Sequence, residues 1–385
     1  MIVVAWSVLV LCLAALGWAF AGYPVWLWLR ARWAPRPVSK PHWQPRVSVC
    51  MAVHNAAFHV DAKIQGLLAH DYPAGLLEII VVSDGSDDGT AARLRALAGD
   101  RVTVIDRPIR RGKSACLADA IAVARGEVLV FTDVRQRLAA GSVQALCNAL
   151  GSGELAAVSG VLRLENVHGG AQAVDAYWRY ETAIRSMEAA SGSVVGVTGA
   201  LYAVRKADMP VPPAGLVLDD VWVPMRIAAN GGRIGLEPAA VVFDQASPSA
   251  AVESIRKRRT LAGNWQLLAL WPAIAIPGRH PLAWRFIQHK LLRLVAPVFL
   301  IGALLANALL WGQGEWPRGL LILQAGAYLI ALMGLQWPAL RRLPPIRLAA
   351  AFLEMNVYAV LGAIDFLRSR DAHLWQAAPS ISPRH

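Results

Sequence analysis

Charge and cysteine are both scarce in this sequence. Of its 385 residues, 17% are Asp, Glu, Lys or Arg and 56% are hydrophobic, whereas an average soluble domain carries about 25% charged residues. The four cysteines form no Cys-x-x-Cys pair, which argues against a disulfide framework or a zinc site and favours a reducing compartment. The sequence also lacks the Gly-x-Gly-x-x-Gly and Gly-x-x-x-x-Gly-Lys patterns, which excludes the usual dinucleotide and P-loop sites.

The charge that is present is mostly positive. There are 38 Lys and Arg residues against 26 Asp and Glu residues, a formal net charge of +12. Such a balance suits nucleic acid, anionic lipid or a phosphorylated substrate. The basic residues lie beside the apolar segments, as at Arg30, Arg32, Arg36 and Lys40. We therefore predict membrane lipid as a partner and no nucleic acid.

The longest apolar segments lie at the two ends of the chain. Residues 2–29 contain no charge and are long enough to cross a hydrocarbon core of about 30 Å. The basic residues that follow favour an uncleaved anchor over a signal peptide. Apolar runs at residues 294–311, 320–337 and 348–367 predict three further spans. Residues 267–277 are too short to span and contain two prolines, which predicts an interfacial helix.

The basic flanks of these segments predict their orientation. They place the N-terminus outside, the middle of the chain in the cytoplasm and residues 312–316 outside. Strict alternation puts the C-terminal tail outside, whereas Arg368, Arg370 and Arg384 favour the inside, so the side of the tail stays open. We predict a multi-pass protein of a bacterial-type inner (plasma) membrane. Its predicted parts are a transmembrane helix 1–30, a basic linker 31–45, a cytoplasmic domain 46–256, an interfacial region 257–290, three transmembrane helices 291–369 and a tail 370–385.

Short β-rich runs alternate with helical runs in the middle of the chain. The strands are predicted at 47–53, 78–83, 102–105 and 128–132, and the helices between them at 57–69, 90–98 and 113–124. This alternation predicts an α/β fold with a doubly wound, mostly parallel sheet. Ligands of such sheets bind beyond the carboxyl ends of the strands. Asp84 and Asp133 each follow a predicted strand, so we expect both in one crevice.

Each candidate residue also has an ordinary structural explanation. The segment that begins at Asp84 is rich in turn residues and is typical of a loop and helix cap. Lys113 begins a helix after two arginines and a glycine, where it can bind a phosphate or simply face solvent. Asp219 and Asp220 open another helical run, and acidic residues there are often caps that suit the helix dipole.

A set of short motifs occurs in a fixed order along the chain: Val-Ser-Val-Cys-Met-Ala-Val-His-Asn at 47–55, Ser83-Asp84-Gly85, Gly112-Lys113, Phe131-Thr132-Asp133, Gly199, Asp219-Asp220 and Arg259. Together with the membrane segments, this order resembles membrane-bound family 2 glycosyltransferases, which include the cellulose, chitin, hyaluronan and poly-N-acetylglucosamine synthases. The resemblance implies a GT-A fold and a nucleotide-sugar donor, usually a UDP-sugar.

The resemblance also implies roles for single residues. Asp84 matches a residue at the nucleobase or ribose, and Lys113 one near the nucleotide. Asp133 matches the first acid of the DxD motif, at the donor diphosphate and its Mg²⁺ or Mn²⁺. Asp220 matches the general base. The remaining matches are Arg259 at the diphosphate, and Asp219, Gly199 and Trp265 on the acceptor side.

These residue types suit an inverting sugar transfer. A carboxylate within hydrogen-bond reach of the acceptor hydroxyl can remove its proton. A hard divalent cation with oxygen ligands, or an arginine, can offset the charge of the leaving diphosphate.

The sequence departs from the family pattern in three places. The DxD motif reads Asp133-Val134-Arg135, so either Asp133 binds the metal with water and donor oxygens, or Arg135 partly replaces the cation. Where the family has Gln-x-x-Arg-Trp, the chain has Arg256, Arg259 and Thr260, which leaves processivity open. Ala118 stands where many relatives have asparagine.

The sequence therefore predicts an inverting membrane glycosyltransferase that extends a polysaccharide or glycan of the cell envelope. Two alternatives stay open: a single transfer to a lipid acceptor, or an inactive subunit that binds sugar nucleotides. Because four spans are few for a polymer conduit, a homo-oligomer or an export partner is also predicted. Donor sugar, acceptor and linkage depend on pocket contacts that no spacing rule supplies.

Overall fold

The computed structural model describes residues 1–165, 171–245 and 250–368. Its helices are α1 Ile2–Trp33, α2 Val60–Leu68, α3 Thr90–Leu97, α4 Lys113–Val123, α5 Ser142–Gly151, α6 Ala171–Ala190, α7 Asp219–Ala229, α8 Ala250–Leu270, α9 Ala283–Leu294, α10 Ala296–Leu309, α11 Glu315–Gln336 and α12 Pro344–Arg368. Its strands are β1 Val47–Val53, β2 Leu77–Asp84, β3 Val102–Arg107, β4 Val128–Thr132, β5 Arg137–Leu138, β6 Ala157–Glu165, β7 Leu201–Arg205 and β8 Ile234–Gln245. The predicted tail 370–385, with Arg370 and Arg384, lies outside the described residues.

The eight strands form one sheet in the order β3-β2-β1-β4-β7-β6-β8-β5. Strands β1 to β4 pair in parallel, as do β6 and β8. Strand β7 is antiparallel to both of its neighbours, and β5 is antiparallel to β8. The predicted α/β sheet is confirmed, and its parallel half coincides with the four strands predicted from the sequence. The other half, β5 to β8, is mixed, with β6 and β8 parallel and β5 and β7 antiparallel to their neighbours.

Both faces of the parallel half are covered. All seven residues of β1 are buried, with Val49 and Met51 in one apolar cluster and Cys50 and Ala52 in the other. A strand buried on both faces reads as a continuous apolar run, and this is why the sequence pattern identified β1 correctly.

Among the residues that the structure describes, three helices are long and apolar enough to cross a membrane: Ile2–Trp33, Glu315–Gln336 and Pro344–Arg368. A fourth candidate is the pair α9 and α10, which is bent by 59°. Pro297 stands in the first turn of α10, and a proline has no N–H to bond to the preceding turn. The bend therefore follows from Pro297, and the predicted span 294–311 is the second arm of a bent pair.

The apolar helices pack through small residues. Ala5 and Cys12 of α1 lie in one cluster with Ala303 and Ala306 of α10. Such residues allow helix backbones to approach closely in a membrane. The segment 267–277 is not a separate helix, because α8 ends at Leu270 and a short 3₁₀ turn, Pro272–Ala275, follows it. Proline disfavours helical conformation in the residue before it, which ends α8 ahead of Pro272.

Candidate active site

The candidate site lies where β4 ends and where α4 and α7 begin. The Nζ atom of Lys113 is 2.9 Å from Oδ1 of Asp133 and 3.8 Å from Oδ2 of Asp219. A Cβ atom added to Gly199 would lie 3.6 Å from both Lys113 Nζ and Asp220 Oδ2. Five of the residues predicted from the sequence therefore lie close together, although they come from four separate stretches of chain.

Asp84 holds the turn that presents Lys113. Its Oδ1 accepts a hydrogen bond from the backbone N–H of Arg111 at 2.6 Å, and its Oδ2 accepts one from Gly112 at 2.8 Å. Gly112 has a φ of +88°, which favours glycine. Asp84 is fully buried. Its carboxylate thus joins the end of β2 to the start of α4, directly beside Lys113.

Lys113 and Asp133 form a charged pair. Burial by itself lowers the pKa of Lys113, but Asp133, Asp219 and Asp220 outweigh it and raise that pKa. Burial raises the pKa of Asp133, but Lys113, Lys63 and Arg135 outweigh it and lower that pKa. Both side chains are therefore ionised at neutral pH.

Asp220 has a different electrostatic environment. Burial and the charge of Asp219 raise its pKa to about 6, against the opposing charges of Lys113, Arg185 and Lys290. A general base works best when its pKa is near the working pH. Asp219 is 3% exposed, and its Oδ2 has no hydrogen-bond partner among the described residues.

Two buried polar side chains beside the site escaped sequence reasoning. Tyr202 stacks on Phe131, with ring centroids 4.7 Å apart, and its hydroxyl has no hydrogen-bond partner in the described chain. Lys63 donates to Thr132 Oγ1 at 2.9 Å and to the carbonyl of Gln136 at 2.7 Å. Burial lowers the pKa of Lys63 to about 7, although Asp133 opposes that shift. The strand and helix patterns that contain these residues gave no signal of a site.

Helix α8 brings Arg259 to the acidic residues. Burial lowers the pKa of Arg259, while Asp219, Asp133 and Asp220 act in the opposite direction. Its Nε atom is buried without a hydrogen-bond partner in the described residues, as is Nε1 of Trp265. Trp265 lies further along the same helix, and no described hydrogen bond joins it to Asp220.

The same helix is attached to the segment before Asp219. The side-chain oxygen of Gln266 accepts from the backbone N–H of Val217 at 2.9 Å, and its amide donates to the carbonyl of Gly215 at 2.7 Å. A Cβ added to Gly263 would lie 2.7 Å from Leu218 Cγ, so α8 packs tightly there. Gln266 and Gly263 thus position the start of α7.

The DxD region offers one carboxylate. Arg135 points toward Asp244, with 3.5 Å between Nη2 and Oδ2, and Gln136 also donates to that carboxylate. Asp133 is paired with Lys113. Within residues 1–165, 171–245 and 250–368, no group of three or more His, Cys, Asp or Glu side chains is placed to hold a metal ion. The side chains present therefore do not form a complete site for the predicted Mg²⁺ or Mn²⁺.

The basic run on α8 is not simply a lipid-facing surface. Arg258 makes a two-point ion pair with Asp365 of α12, at 2.9 and 2.7 Å. Arg256 and Lys257 pair with Glu253 within α8. The contact with the distant helix α12 therefore distinguishes Arg258 from Arg256 and Lys257.

A cavity of about 500 Å³ lies away from these residues. It is lined by Trp43, Glu127, Arg205, Lys206 and Ala207. In the β4–β7 pair, Arg205 faces Val128 whereas Leu201 faces Thr132. The cavity is therefore at the opposite edge of the sheet from Asp133.

Comparison with known proteins bears on the same residues. Residues 48–204 match the family described as Glycosyl transferase family 2. Residues 48–204 are therefore similar to family 2 glycosyltransferases. The matched segment contains Asp84, Lys113, Asp133 and Gly199, and it ends before Asp219, Asp220 and Arg259.

One curated relative is glycosyltransferase AglE of Haloferax volcanii, which is 31% identical over 91 residues. That match covers 23% of this chain and 30% of the relative. This chain therefore matches less than a third of the relative's length.

A solved structure, mannosyltransferase PcManGT from Pyrobaculum calidifontis in complex with GDP-Man and Mn²⁺, superposes with a TM-score of 0.70. It is 24% identical, and the superposition covers 94% of this chain and 99% of that one. This likeness confirms the predicted GT-A fold.

Proposed function

We propose that the protein transfers a sugar from a nucleoside diphosphate sugar to a hydroxyl of a glycan acceptor at the membrane surface, with inversion. The observation that carries the proposal is the cluster formed by the Lys113–Asp133 pair with Asp219 and Asp220. This cluster lies at the carboxyl end of β4, where ligands of α/β sheets bind.

On the donor side, Lys113 and Arg259 offset the charge of the diphosphate. The cationic Nζ of Lys113 lies among three carboxylates, and a phosphate can take the place of Asp133 on it. The unpartnered Nε of Arg259 provides a further donor, and arginine suits bidentate binding of phosphate. Asp84 holds the turn at the nucleotide, and Arg135 stays a predicted donor-side residue.

The requirement for Mg²⁺ or Mn²⁺ stays a prediction, with Asp133 as its one protein ligand. A bound divalent ion would offset charge on the leaving diphosphate. No step proposed for the side chains depends on it.

On the acceptor side, Asp220 removes the proton of the attacking hydroxyl. Direct attack with one base gives inversion at the sugar carbon. Asp219 keeps Asp220 basic through its negative charge, and Gly199 leaves room beside the carboxylate. Trp265 stays a predicted acceptor-side residue.

The orientation predicted from the basic flanks places this site on the cytoplasmic face of a bacterial-type inner membrane. The favoured acceptor is a growing polysaccharide or glycan. A single transfer to a lipid-linked acceptor is the second candidate, because Thr260 stands in place of the tryptophan typical of processive synthases. Assembly with a second copy or an export partner is part of the first proposal only.

The test is a donor panel on the purified full chain in neutral detergent. UDP-sugars, as predicted, and GDP-mannose are supplied with membrane lipid extract, and nucleotide release is measured. We expect Asp220→Asn to lower turnover by at least about 100-fold, while Asp208→Asn, an exposed carboxylate change on the opposite side of the sheet, keeps it.

Full turnover in Asp220→Asn would contradict the assignment of Asp220 as the general base. If the protein binds nucleotides but releases no nucleotide from any donor sugar, the inactive-subunit alternative is favoured. The size of the product separates a polymer from a single added sugar.

A further inference from the structure

A cluster of basic side chains lies between the active site and the membrane helices. It consists of Arg185 on α6 and Arg285, Lys290 and Arg293 on α9. Two buried carboxylates of α6, Glu181 and Glu188, lie among them. We refer to these four cationic residues as the basic cluster.

The basic cluster has more positive charge than its carboxylates balance. Glu181 alone faces Arg185 at 3.3 Å, Lys290 at 3.4 Å and Arg293 at 3.3 Å. His289 also lies between Glu181 and Glu188, 3.0 Å from each. Arg285 already donates to the backbone carbonyls of Glu188, Ser191 and Ser193. The remaining three cations, Arg185, Lys290 and Arg293, all face the single carboxylate of Glu181. Clustered charge of one sign attracts a counter-ion.

Several donors of the cluster are free to bind such an anion. The contacts of Lys290 and Arg293 with Glu181 are longer than the 2.7–2.9 Å of strong charge-assisted bonds. The side chain of Lys290 is 22% exposed, so it can be reached from solvent or lipid. The Nε of Arg293 is buried without a hydrogen-bond partner among the described residues.

The cluster is attached to the first membrane helix. The hydroxyl of Tyr23 donates to Glu188 at 2.6 Å, and the hydroxyl of Tyr180 donates to the carbonyl of Phe20 at 2.9 Å. Both Phe20 and Tyr23 belong to α1, and Lys290 belongs to the first arm of the bent pair. A ligand in the cluster would therefore lie beside apolar helices.

A short segment of chain joins the cluster to Asp220. The backbone N–H of Val195 donates to Glu188 at 3.5 Å, and that of Val197 donates to the carbonyl of Asp220 at 2.9 Å. Two residues of chain span at most about 7 Å. The charges of Arg185 and Lys290 accordingly act on the Asp220 carboxylate.

We propose that the basic cluster binds the phosphate of a membrane-borne acceptor, so that a hydroxyl on the same molecule reaches Asp220. The ligand class is a lipid phosphate or diphosphate carrying a glycan. This inference rests on the proposed function, because it names the acceptor class for that same site. If the basic cluster only joins α9 to α6, we expect no phosphate binding there.

The experiment measures binding of three probes to the full chain in neutral detergent: dodecyl phosphate, dodecanol and inorganic phosphate. We expect dodecyl phosphate to bind at least about tenfold more tightly than either other probe. Raising NaCl from about 50 to about 500 mM should weaken dodecyl phosphate binding, because salt screens the charges, and should leave dodecanol unchanged.

Variants at Lys290 test the cluster itself. Lys290→Gln should weaken dodecyl phosphate binding about tenfold, and the charge-preserving Lys290→Arg should stay close to the original protein. Lys40→Gln is the matched control, because Lys40 also pairs with a glutamate, Glu237 at 2.6 Å, outside the basic cluster. Affinity for UDP and GDP, measured on every variant, reports that the domain is folded.

Equal binding of dodecanol and dodecyl phosphate, or unchanged dodecyl phosphate binding in Lys290→Gln, overturns the proposal. Equal binding of inorganic phosphate shows a free-phosphate site and overturns the lipid part. If Lys290→Gln fails to fold, the salt dependence in the unchanged protein decides. If the unchanged protein binds nucleotides and turns over a donor but does not bind dodecyl phosphate, this inference alone is wrong. If the unchanged protein does not bind nucleotides, the proposed function is wrong.

Discussion

Asp219 and Asp220 are neighbours in sequence but differ in their surroundings. Asp219 is buried and faces Lys113, whereas Asp220 is partly exposed and next to Gly199. The helix they open is capped by Leu218 without a side-chain hydrogen bond, so neither acid is an N-cap. Lys113 is likewise paired with Asp133 rather than solvated, which decides against its ordinary structural explanation.

The raised pKa of Asp220 predicts a pH dependence. The carboxylate acts as a base only when deprotonated, so kcat/KM should fall as the pH drops through about 6. An unperturbed aspartate would lose activity only near pH 4. Asp219→Asn removes the repulsion that raises this pKa, and we expect the midpoint to move to lower pH.

The measurement is a pH–rate profile between about 4.5 and about 8. Asp208→Asn serves as the control and should keep the original midpoint. A flat profile below pH 7 in the unchanged protein, or a midpoint that rises in Asp219→Asn, contradicts the assignment.

Arg135 is the residue to change for metal binding. Its positive charge stands where a second carboxylate would complete a DxD motif, and hard cations prefer carboxylate oxygens. Arg135→Asp should therefore tighten Mn²⁺ binding at least about tenfold in the presence of nucleotide, measured by calorimetry.

The control is Arg137→Asp, the same change at a residue that pairs with Glu165 on the surface. Equal Mn²⁺ affinity in both variants would show that position 135 does not face the metal site.

At the scale of elements, α8 connects the membrane helices to the active site. Its first half pairs with α12 through Arg258 and Asp365, and a Cβ on Gly362 of α12 would lie 2.9 Å from Leu261 Cβ. Its second half holds the segment before Asp219 through Gln266. Movement of α12 against α8 would therefore be transmitted to Asp219 and Asp220.

Removing one partner of the Arg258–Asp365 pair should loosen this connection. We expect Asp365→Asn to lower the thermal midpoint in detergent by about 2 °C, because a half-exposed two-point pair stabilises by about 1 kcal/mol. Turnover should fall as well.

The double variant with Arg258→Gln tests whether the two residues act together. Residues in direct contact give non-additive effects. The double variant should therefore be no less stable than the less stable of the two single variants. Fully additive losses would show that the pair does not act as one.

At the scale of the whole molecule, the predicted orientation can be tested with introduced cysteines. All four native cysteines are buried, so background labelling should be low. Gly312→Cys, in the loop between α10 and α11, should react with a membrane-impermeant maleimide in intact cells. Ala207→Cys, exposed on the glycosyltransferase domain, should react only after the membrane is permeabilised. The reverse pattern would invert the topology.

The sequence predicted the parallel half of the fold because its central strands β1, β2 and β4 are largely apolar and buried, and helical segments separate the strands. Residues 47–53 became β1 without a shift, and the predicted helix 113–124 became Lys113–Val123. The shared edge of parallel strands predicted Asp84 and Asp133 close together, and in the structure Asp84 holds the turn before Lys113 while Asp133 pairs with Lys113. Tyr202, Lys63 and Asp244 could not be predicted, since each sits in an ordinary pattern and acquires its role only from residues far along the chain.

Local chemistry alone therefore determined which segments are apolar enough to span, where the parallel strands begin, and which acids stand at strand ends, because those properties depend on neighbours within a few residues. The tertiary structure alone decided that burial raises the pKa of Asp220, that Arg258 pairs with α12, and that the charges of Arg185 and Lys290 act on Asp220. Charges act through distance in space, and the distances between these residues are set by packing of the whole sheet and its helices.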